Sequence, residues 1–510
     1  MILINPTSYR EKTLGVFAEF VPRNVPIAVA TLAAALLEKG HRARIIDEDV
    51  TVIDAALLEQ SARGLEEPYI FGISCLTLGM KRAFELSRVI KTVFPKAYVV
   101  FGGIHPTALP EESLSLGTVD IVARGEADET VCRLYESLKK GTDFRILPGI
   151  SYEKDGGYVH NESAPLVRDI NALPPFPYHL FDEHAASYLM NFVLVSRGCP
   201  YGCIFCSQRT ITGRTYRRYS DERIISDLHL VIEKYKQKNI LFFDDNFVVT
   251  KEATKAFLNK LVAQGLPGKA NFSCQLRGDV VDDELVVLFK EAGFKSLNFG
   301  IESGSERIMK IIDKGETVQD NVRAIKIAAR HGIGTQGTII FGFPGETGGD
   351  RRKAVELVKE IPLDRVRFNN VVPYPGTPLY GMVKASDRLK VHDHWQNFNV
   401  VSVLVHGLSE RMPLPFVPEG TTDMRLKYQI LSANLAFMLK PSKIIPFLFA
   451  KRDNVGWFHL PHLWYLNLKY IKYMLALIGK TTFHFIQMVC YGFYFHFQQS
   501  HADFGKERGV

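Results

Sequence analysis

Two runs of alternating strands and helices, separated by a proline-rich segment, constrain the fold of this chain more than any other feature. Short β-rich runs alternate with helical patterns over residues 1–150, and a second alternation begins at Asn191. Such alternation indicates parallel sheets covered by helices. The segment 173–177, LPPFP, separates the two runs because proline cannot continue a helix or a central strand. The pattern predicts an α/β protein with at least two domains.

The first run predicts a doubly wound, Rossmann-like domain over residues 1–150. Its first helix, expected over 27–39, has Pro26 at its start and Gly40 just past its end, which is the usual asymmetry. Doubly wound sheets bind ligands beyond the carboxyl ends of their strands. The candidate ligand loops of this domain are therefore 74–79, 102–107 and 124–126.

The second run predicts a partial (β/α)6 barrel over residues 191–380, joined to the first domain by a linker at 151–190. In this architecture the chemistry is expected at the carboxyl ends of the strands. Beyond residue 380 the alternation degrades, and residues 381–510 are expected to be helical and rich in aromatic side chains. The six barrel strands are expected at 193–197, 240–244, 270–276, 296–301, 334–341 and 365–372.

The segment 198–206, GCPYGCIFC, is the strongest chemical signal in the chain. It places Cys199, Cys203 and Cys206 in one short loop just past a predicted strand, and thiolates are the usual ligands of iron–sulfur clusters. Three ligands for four irons leave one iron open for chemistry. A structural zinc site is the alternative, but zinc takes four ligands and no fourth Cys or His lies close in sequence.

With this motif, roughly residues 190–380 resemble the radical S-adenosylmethionine superfamily. The resemblance implies that the open iron of a 4Fe-4S cluster chelates S-adenosylmethionine. An electron from the cluster then breaks a carbon–sulfur bond to give a 5′-deoxyadenosyl radical, which takes a hydrogen atom from the substrate. The resemblance also implies an anaerobic enzyme with an electron donor such as flavodoxin or ferredoxin.

Further segments at the expected strand ends agree with this resemblance. Each is weak alone, because Asp244, Glu302 or Glu346 could simply cap a following helix. Together, in order and each at a strand end, they are persuasive, and an arginine at position 277 could pair with the methionine carboxylate. The residues implied to contact S-adenosylmethionine are Phe205, Asp244, Asp245, Gln275, Arg277, Glu302, Ser303, Gly342 and Phe343.

The first domain resembles the cobalamin-binding domain that precedes many radical S-adenosylmethionine enzymes. The Asp-x-His-x-x-Gly motif that supplies a histidine to cobalt in other cobalamin proteins is absent, so the resemblance implies cobalamin without a protein histidine ligand. His105, beside Pro106 in a turn, is expected to shape its loop, and some domains with this fold have lost the cofactor. The residues implied to contact cobalamin are Ser74, Gly102, Gly103, Thr107, Gly125 and Glu126.

The two resemblances together imply a cobalamin-dependent radical methyltransferase that acts on an unactivated carbon. Two alternatives stay open. One is a radical oxidoreductase or cyclase that acts on a tetrapyrrole or lipid without methyl transfer. The other is a cobalamin or redox sensor without catalysis, which the complete cysteine motif disfavours. The catalytic side chains themselves are unknown at this point.

Charge and cysteine usage exclude several other classes. The net charge of +7 is mild for 510 residues, and the basic residues mostly lie beside acidic ones on predicted helices, so no nucleic-acid partner is expected. Seven cysteines, three of them in one loop, do not form a disulfide framework. The N-terminus is a predicted strand without the features of a signal peptide. We therefore expect a cytoplasmic protein.

The C-terminal region combines dense aromatic content with little charge. Between Tyr473 and Phe497 the single formally charged side chain is Lys480, while His484 and Gln487 interrupt the apolar pattern. A membrane-spanning helix is therefore disfavoured. A packed helix pair and an interfacial membrane contact both stay open. The aromatic content also suggests a small-molecule substrate of apolar character.

Overall fold

Both expected parallel sheets are present in the computed structural model. It describes residues 1–7, 14, 15, 18, 23–443, 472 and 475–492. The strands, in chain order, are β1 (Ile2–Asn5), β2 (Arg23–Asn24), β3 (Arg44–Asp47), β4 (Ile70–Ser74), β5 (Tyr98–Gly102), β6 (Ile121–Ala123), β7 (Ile150–Lys154), β8 (Gly157–His160), β9 (Tyr188–Leu189), β10 (Phe192–Leu194), β11 (Ser196–Arg197), β12 (Arg217–Arg218), β13 (Asn239–Phe243), β14 (Asn271–Leu276), β15 (Phe294–Glu302), β16 (Gly334–Phe341) and β17 (Arg365–Asn370).

The first sheet has the order β3-β1-β4-β5-β6-β7-β8. Its first five strands are parallel, as predicted, and the hairpin β7–β8 then pairs antiparallel to β6. This hairpin was not expected from the sequence, and it carries the first sheet as far as His160. The parallel strands place the ends of β1, β4, β5 and β6 along one edge.

Helices cover both faces of this sheet, which makes it doubly wound. The first helix begins after Pro26. At its end the chain turns at Gly40, which has a φ of +74° and donates its backbone N–H to the carbonyl of Leu37. The next helix is capped by the side chain of Asp54, which accepts from the backbone N–H of Leu57. The α-helices of this part are Ile27–Glu38, Ala55–Ala62, Met80–Val93, Ile104–Ala108, Pro110–Leu114 and Asp128–Lys140.

The second sheet is an open, six-stranded parallel barrel segment in the sequential order β10-β13-β14-β15-β16-β17. This agrees with the predicted partial (β/α)6 barrel. Capping boxes start two of its helices, one at Thr317 with Asp320 and one at Thr347 with Asp350. The α-helices of this part are Arg209–Thr212, Asp221–Glu233, Lys251–Ala263, Asp283–Glu291, Glu306–Ile311, Val318–Arg330 and Gly348–Glu360.

The region after the barrel packs onto both sheets. The side chain of Asn434 accepts from the backbone N–H of Phe368 at 3.1 Å and donates to its carbonyl at 2.8 Å, so a helix covers the last barrel strand. Val372, Trp395 and Phe398 complete an apolar core of the first domain. The α-helices of this region with described bounds are Pro378–Ala385, Ser402–His406 and Asp423–Met438.

Part of the aromatic C-terminal segment is described. Residues 475–492 are helical, and His484 is buried with its Nε2 3.0 Å from the carbonyl of Leu404. Leu475, Ile478 and Ile486 on the same helix are more than half exposed. Among the described helices, none has the length and apolar character needed to cross a bilayer. Most of the region on which the membrane hypothesis depended lies outside the described residues.

Candidate active site

A two-stranded ribbon forms the stem of the cysteine loop. β11 and β12 pair antiparallel, with Arg197 opposite Arg217, and the residues between these strands carry all three cysteines of the motif. Gly198 has a φ of +83°, and a Cβ there would collide with the carbonyl of Thr215. Only glycine fits this position, so the first glycine of the motif serves the tight exit from the ribbon.

The three thiols of the loop are half-buried and interact electrostatically. Burial raises the pKa of Cys203 to about 11, and burial also raises the pKa values of Cys199 and Cys206. No three His, Cys, Asp or Glu side chains in the described part of the chain are placed to hold a single metal ion. A cluster does not require such convergence, because it spreads its thiolates over separate irons.

Two adjacent carboxylates face this loop from the end of β13. The hydroxyl of Ser196 donates to Asp244, whose other oxygen, Oδ2, is buried without a hydrogen-bond partner among the described residues. Burial, helped by the neighbouring Asp245, raises the pKa of Asp244 to about 7. Burial likewise raises the pKa of Asp245 to about 6, although the backbone N–H of Gly198 opposes this shift. An unpartnered buried carboxylate oxygen is a suitable acceptor for a cationic ligand.

At the end of β14, the contacts of Arg277 differ from the expectation. Arg277 is buried, and its guanidinium donates to both carboxylate oxygens of Asp279 at 3.0 and 2.7 Å. It also lies 3.7 Å from the ring centre of Tyr201 in the cysteine loop. The structure therefore shows Arg277 supporting the loop, and its pairing with a methionine carboxylate stays a prediction. Gln275 is exposed at the same strand end.

A buried charge cluster that the sequence did not reveal lies at the end of β15. The Nζ of Lys314 is 2.8 Å from Glu302 and 3.1 Å from Glu316, and it also donates to the carbonyl of Gly300. Glu302 has a φ of +59°, which is uncommon for a residue with a side chain. Burial lowers the pKa of Lys314, but the two carboxylates outweigh this effect and raise it. Lys314 thus holds Glu302 in a strained conformation beside Cys203.

The end of β16 lies beside the end of β15 and contributes a further acidic residue. Gly342, with a φ of +102°, donates its N–H to Glu346 at 2.6 Å, and burial raises the pKa of Glu346 to about 7. Phe343 is fully buried with its ring centre 5.5 Å from that of Phe205. Ser303, also buried, accepts from the backbone N–H of Ser305.

The capping alternative for the three acidic residues is not what the structure shows. Ser305 and Thr347, and not Glu302 or Glu346, precede the first turns of the following helices. Thr250 holds the corresponding position after Asp244. Glu302 instead pairs with Lys314, and Glu346 with Arg351 and the N–H of Gly342. Of these three acidic side chains, only Asp244 keeps a buried oxygen without a partner among the described residues.

Polar side chains line the interior of the barrel. Pairing in register places Gln275, Asn298 and Gln336 side by side on one face of three neighbouring strands. Thr338 and Arg367 continue this face on the next pair. Within the described residues, the buried atoms on this face without a hydrogen-bond partner are Ser273 Oγ, Asn298 Oδ1 and Asn369 Oδ1.

The edge of the first sheet brings together several residues expected to contact cobalamin. Ser74 pairs in register with Gly102, and Gly102 with Ala123, so three strand ends lie side by side. Leu76, just beyond them, is 60% exposed. A partly exposed apolar edge of this kind can accept a flat macrocycle.

Gly103 and Gly125 at this edge also contact neighbouring loops of the protein. Gly103 has a φ of +97°, and a Cβ there would lie 2.8 Å from the carbonyl oxygen of Cys75. The close approach that requires glycine is therefore to the adjacent loop. Thr107 accepts at its hydroxyl from the N–H of Gly125 at 3.0 Å, which ties a second pair of loops together.

Two other side chains of the first domain, those of Glu126 and His105, make their contacts within the protein. The side chain of Glu126 is only 6% exposed, and Arg197 and Arg217 donate to both of its carboxylate oxygens. This carboxylate forms ion pairs between the two domains. Its expected contact with cobalamin therefore stays a prediction. His105 is also buried, with Nδ1 3.3 Å from Thr77 Oγ1, which agrees with a role in shaping the loop.

The fold and these strand ends define an α/β protein with two candidate ligand edges, one on each parallel sheet, joined through the ion pairs of Glu126 with Arg197 and Arg217. Comparison with family models agrees: a radical SAM superfamily model matches residues 193–358, and a B12-binding-domain model matches residues 14–135. The chain belongs to the radical S-adenosylmethionine superfamily, among the members that carry a B12-binding domain. Its cofactors are therefore a 4Fe-4S cluster, S-adenosylmethionine and cobalamin, as the sequence predicted.

Similar proteins support this placement. An uncharacterized methyltransferase of Pyrococcus horikoshii is 30% identical over 431 residues, which are 83% of this chain and 90% of the relative. The anaerobic magnesium-protoporphyrin IX monomethyl ester cyclase of Cereibacter sphaeroides is 24% identical over 391 residues, 74% of this chain and 63% of that protein.

One solved structure shows the same overall fold. It is the radical S-adenosylmethionine methyltransferase TsrM of Kitasatospora setae, with cobalamin and a [4Fe-4S] cluster bound. The TM-score is 0.67 at 16% identity, covering 86% of this chain and 91% of TsrM. The fold class predicted from the sequence is confirmed, and the methyltransferase reading is better supported than the cyclase reading.

Proposed function

We propose that this enzyme uses a 5′-deoxyadenosyl radical to activate an unreactive carbon of a small molecule and then methylates that carbon. One observation carries the proposal: the ribbon that carries the cysteine loop is bonded to the helix start that follows β6 of the B12-binding domain. Asp128 of that domain accepts two hydrogen bonds from Arg197, two residues before Cys199. The ribbon of the proposed cluster ligands therefore meets the B12-binding domain beside its proposed cobalamin edge, and this supports methyl transfer between the two proposed sites.

Cys199, Cys203 and Cys206 are proposed to hold the 4Fe-4S cluster. The bound cluster supplies the electron that splits S-adenosylmethionine, and bound cobalamin supplies the methyl group. The chain's contribution is a loop that Gly198 and the ribbon hold rigid, together with partial burial of the thiols. Burial limits the access of water and oxygen to the ligands.

The carboxylates at the end of β13 are proposed to bind the methionine amino group. Asp244 Oδ2 is buried without a partner in the described structure, so it fits an ammonium donor. Asp245 is fixed by the backbone of the cysteine loop and lies next to the same space. Phe205 and Phe343 offer an apolar pair for the adenine, while Glu302 and Ser303 lie where a ribose is expected.

Ser74, Gly102 and Gly103 are proposed to lie along the corrin or its nucleotide tail. No histidine is proposed for cobalt, because His105 is buried against Thr77 and Trp395. Reconstituted protein is expected to show a cobalamin spectrum that His105→Ala leaves unchanged, and a spectrum altered by that substitution would contradict this assignment.

The substrate is proposed to place a hydrogen-bonding part inside the barrel. The aromatic C-terminal region suggested an apolar substrate, but most of that region lies outside the described residues. The barrel interior instead presents Gln275, Asn298, Gln336 and Asn369. Phe243, 48% exposed, is an apolar element near the same strand ends. A substrate with both polar and apolar parts fits this combination.

The external partners are proposals of the same kind. A flavodoxin or ferredoxin is proposed as electron donor, since the cluster must be reduced in each turnover. Peripheral contact with anionic lipid is proposed for the C-terminal helix, which exposes Leu475, Ile478 and Ile486. Flotation with anionic vesicles at low salt tests this contact, and protein that stays in the bottom fraction contradicts it.

A cyclase is the second candidate function. The relative from Cereibacter sphaeroides is named for cyclisation of a tetrapyrrole, and it shares 24% identity with this chain. An anaerobic assay with S-adenosylmethionine deuterated in its methyl group separates the two functions. Methyl transfer adds the labelled group to the product, whereas cyclisation or oxidation removes hydrogen without adding label.

A further inference from the structure

Four largely covered charged side chains, each at most 17% exposed, join the two cofactor domains. We call Glu126, Asp128, Arg197 and Arg217 the interdomain ion cluster. The guanidinium of Arg197 donates to both oxygens of Asp128, at 2.8 and 3.1 Å, and to Glu126 at 3.1 Å. Arg217 donates to both oxygens of Glu126, at 2.7 and 3.1 Å. Each carboxylate side chain is 6% exposed.

The positions of these residues give the cluster its significance. Arg197 and Arg217 stand opposite one another on β11 and β12, the ribbon that carries the cysteine loop. Both strands of the stem are therefore held from the same side. Glu126 lies in the loop after β6, next to Gly125, which bonds to Thr107 at the expected cobalamin edge, and Asp128 begins the helix that follows. The cluster thus links residues that lie one and three positions after Gly125 to one that lies two positions before Cys199.

Further hydrogen bonds to neighbouring residues fix the orientation of the side chains in the cluster. Glu126 also accepts from the backbone N–H of Val167, and Arg217 donates to the carbonyl of the same residue at 2.6 Å. The Nε of Arg197 donates to the hydroxyl of Tyr219 at 3.2 Å. Forked arginine–carboxylate pairs fix orientation as well as distance.

Stability alone is a weak reason for such a cluster. Buried ion pairs pay a large desolvation cost, and apolar side chains of similar volume often stabilise a protein equally well. Their attested use is to fix one geometry among several. Here the geometry that they fix is the position of the cysteine loop over the edge of the first sheet.

We propose that the interdomain ion cluster sets the position of the cysteine loop relative to the B12-binding domain, and that its members are positioning residues for methyl transfer between the two cofactor sites. This inference rests on the proposed function. In the transfer, the methyl–sulfur bond of S-adenosylmethionine breaks, S-adenosylhomocysteine leaves, and the electron pair of reduced cobalt forms the new bond. The step needs a short, aligned approach, whereas cleavage at the cluster involves the second domain alone.

The test compares Asp128→Asn with the wild-type enzyme and with Asp283→Asn as matched control. Asp283 is an exposed carboxylate that pairs with Arg330 and His331 within the barrel. Asparagine keeps the size of Asp128 but loses the charge and one of the two forked bonds. Glu126→Gln is the second variant, because it likewise keeps the size of the side chain but removes its charge.

The first readout needs no cofactor. Hydrogen–deuterium exchange of the apo-protein is expected to rise at least fivefold in residues 196–218 of Asp128→Asn, and to stay unchanged in the control. The second readout uses methyl-labelled S-adenosylmethionine, cobalamin and titanium(III) citrate. Label on cobalamin is expected to fall at least tenfold, while 5′-deoxyadenosine formation and iron content stay within twofold of wild type.

The other outcomes each overturn the inference. Unchanged label transfer despite faster exchange would make the cluster merely structural. A parallel loss of label, 5′-deoxyadenosine and iron would mean that the cluster only supports the cysteine loop. If wild-type protein cleaves S-adenosylmethionine but never labels cobalamin, the proposed function fails, and the exchange experiment still decides whether the ion cluster positions the loop.

Discussion

Trp395 donates its indole N–H to Glu112 at 2.7 Å, and this bond joins residues that lie 283 positions apart in the sequence. The same tryptophan lies edge-on to His105, with ring centres 4.9 Å apart. Asp393, His394 and Trp395 all have positive φ angles, and Asp393 pairs with Lys81 at 2.6 Å. Contacts on both sides therefore hold an unfavourable backbone segment against the B12-binding domain.

Trp395→Phe is expected to lower the free energy of unfolding by about 1–3 kcal/mol. Phenylalanine fills most of the apolar space but leaves the carboxylate of Glu112 without its indole donor. Calorimetry of the apo-protein measures the loss. Glu112 also lies 3.4 Å from His105 Nε2, so its own replacement would remove a second contact. A thermal midpoint of Trp395→Phe equal to that of wild type would contradict the assigned bond.

Gly103→Ala is expected to destabilise the first domain by several kcal/mol more than Gly141→Ala. Both glycines have a positive φ, but a Cβ at position 141 meets nothing within 4 Å, whereas one at position 103 would lie 2.8 Å from the carbonyl oxygen of Cys75. The control should cost about 1 kcal/mol for its backbone conformation alone. Similar thermal midpoints for the two variants would rule out the close approach.

Asp244→Asn is expected to weaken binding of S-adenosylmethionine by about 10- to 100-fold. A charged hydrogen bond of this kind contributes about 1.5–3 kcal/mol. Binding is measured by the change that S-adenosylmethionine causes in the electron paramagnetic resonance spectrum of the reduced cluster. Iron content should match wild type, and Asp283→Asn should bind normally. Wild-type affinity in Asp244→Asn would remove this carboxylate from the site.

Asp227→Asn is expected to stabilise the protein above pH 6 and to have little effect near pH 4. Burial raises the pKa of Asp227 to about 6 from an ordinary value of 3.8. The folded chain therefore holds a proton that the unfolded chain has already lost, and the wild-type fold loses stability as pH rises through this interval. The difference should reach about 3 kcal/mol at pH 8. Thermal midpoints of both proteins from pH 4 to 8 check it.

Lys314→Met is expected to cost about 3–5 kcal/mol, because it leaves Glu302 and Glu316 buried without their common cation. Lys310→Met, at an exposed position of the preceding helix, should cost under about 0.5 kcal/mol. Urea unfolding of the apo-proteins measures both. Two equally small effects would show that Lys314 does not compensate the carboxylates.

The sequence predicted the strand and helix order well, because apolar strands and capped helices are local patterns. All six barrel strands lie within a few residues of their expected positions, and 334–341 coincides with β16. The hairpin β7–β8 was missed because its second strand, GYVH, has only four residues and is mostly exposed, so it carries no apolar alternation.

The side chains that act between elements could not be predicted in this way. Lys314 is followed by Gly315 near the end of a helix, a pattern that usually marks an exposed C-terminus. Arg197 carries no sign in sequence of its carboxylate partner, which lies 69 residues earlier in the other domain. The glycine at position 103 indicated a close approach of backbone. The group that it approaches is the carbonyl of Cys75, which comes close only because β4 pairs with β5.

The apolar core that Val372, Trp395 and Phe398 complete has a consequence for biosynthesis. The ribosome makes the strands of the first domain early, but the last side chains of that core emerge only after the whole barrel has been synthesised. At roughly 5–20 residues per second, the nascent first domain carries an uncovered apolar face for on the order of tens of seconds. Slow translation of the barrel prolongs the interval in which this face can bind a chaperone or aggregate.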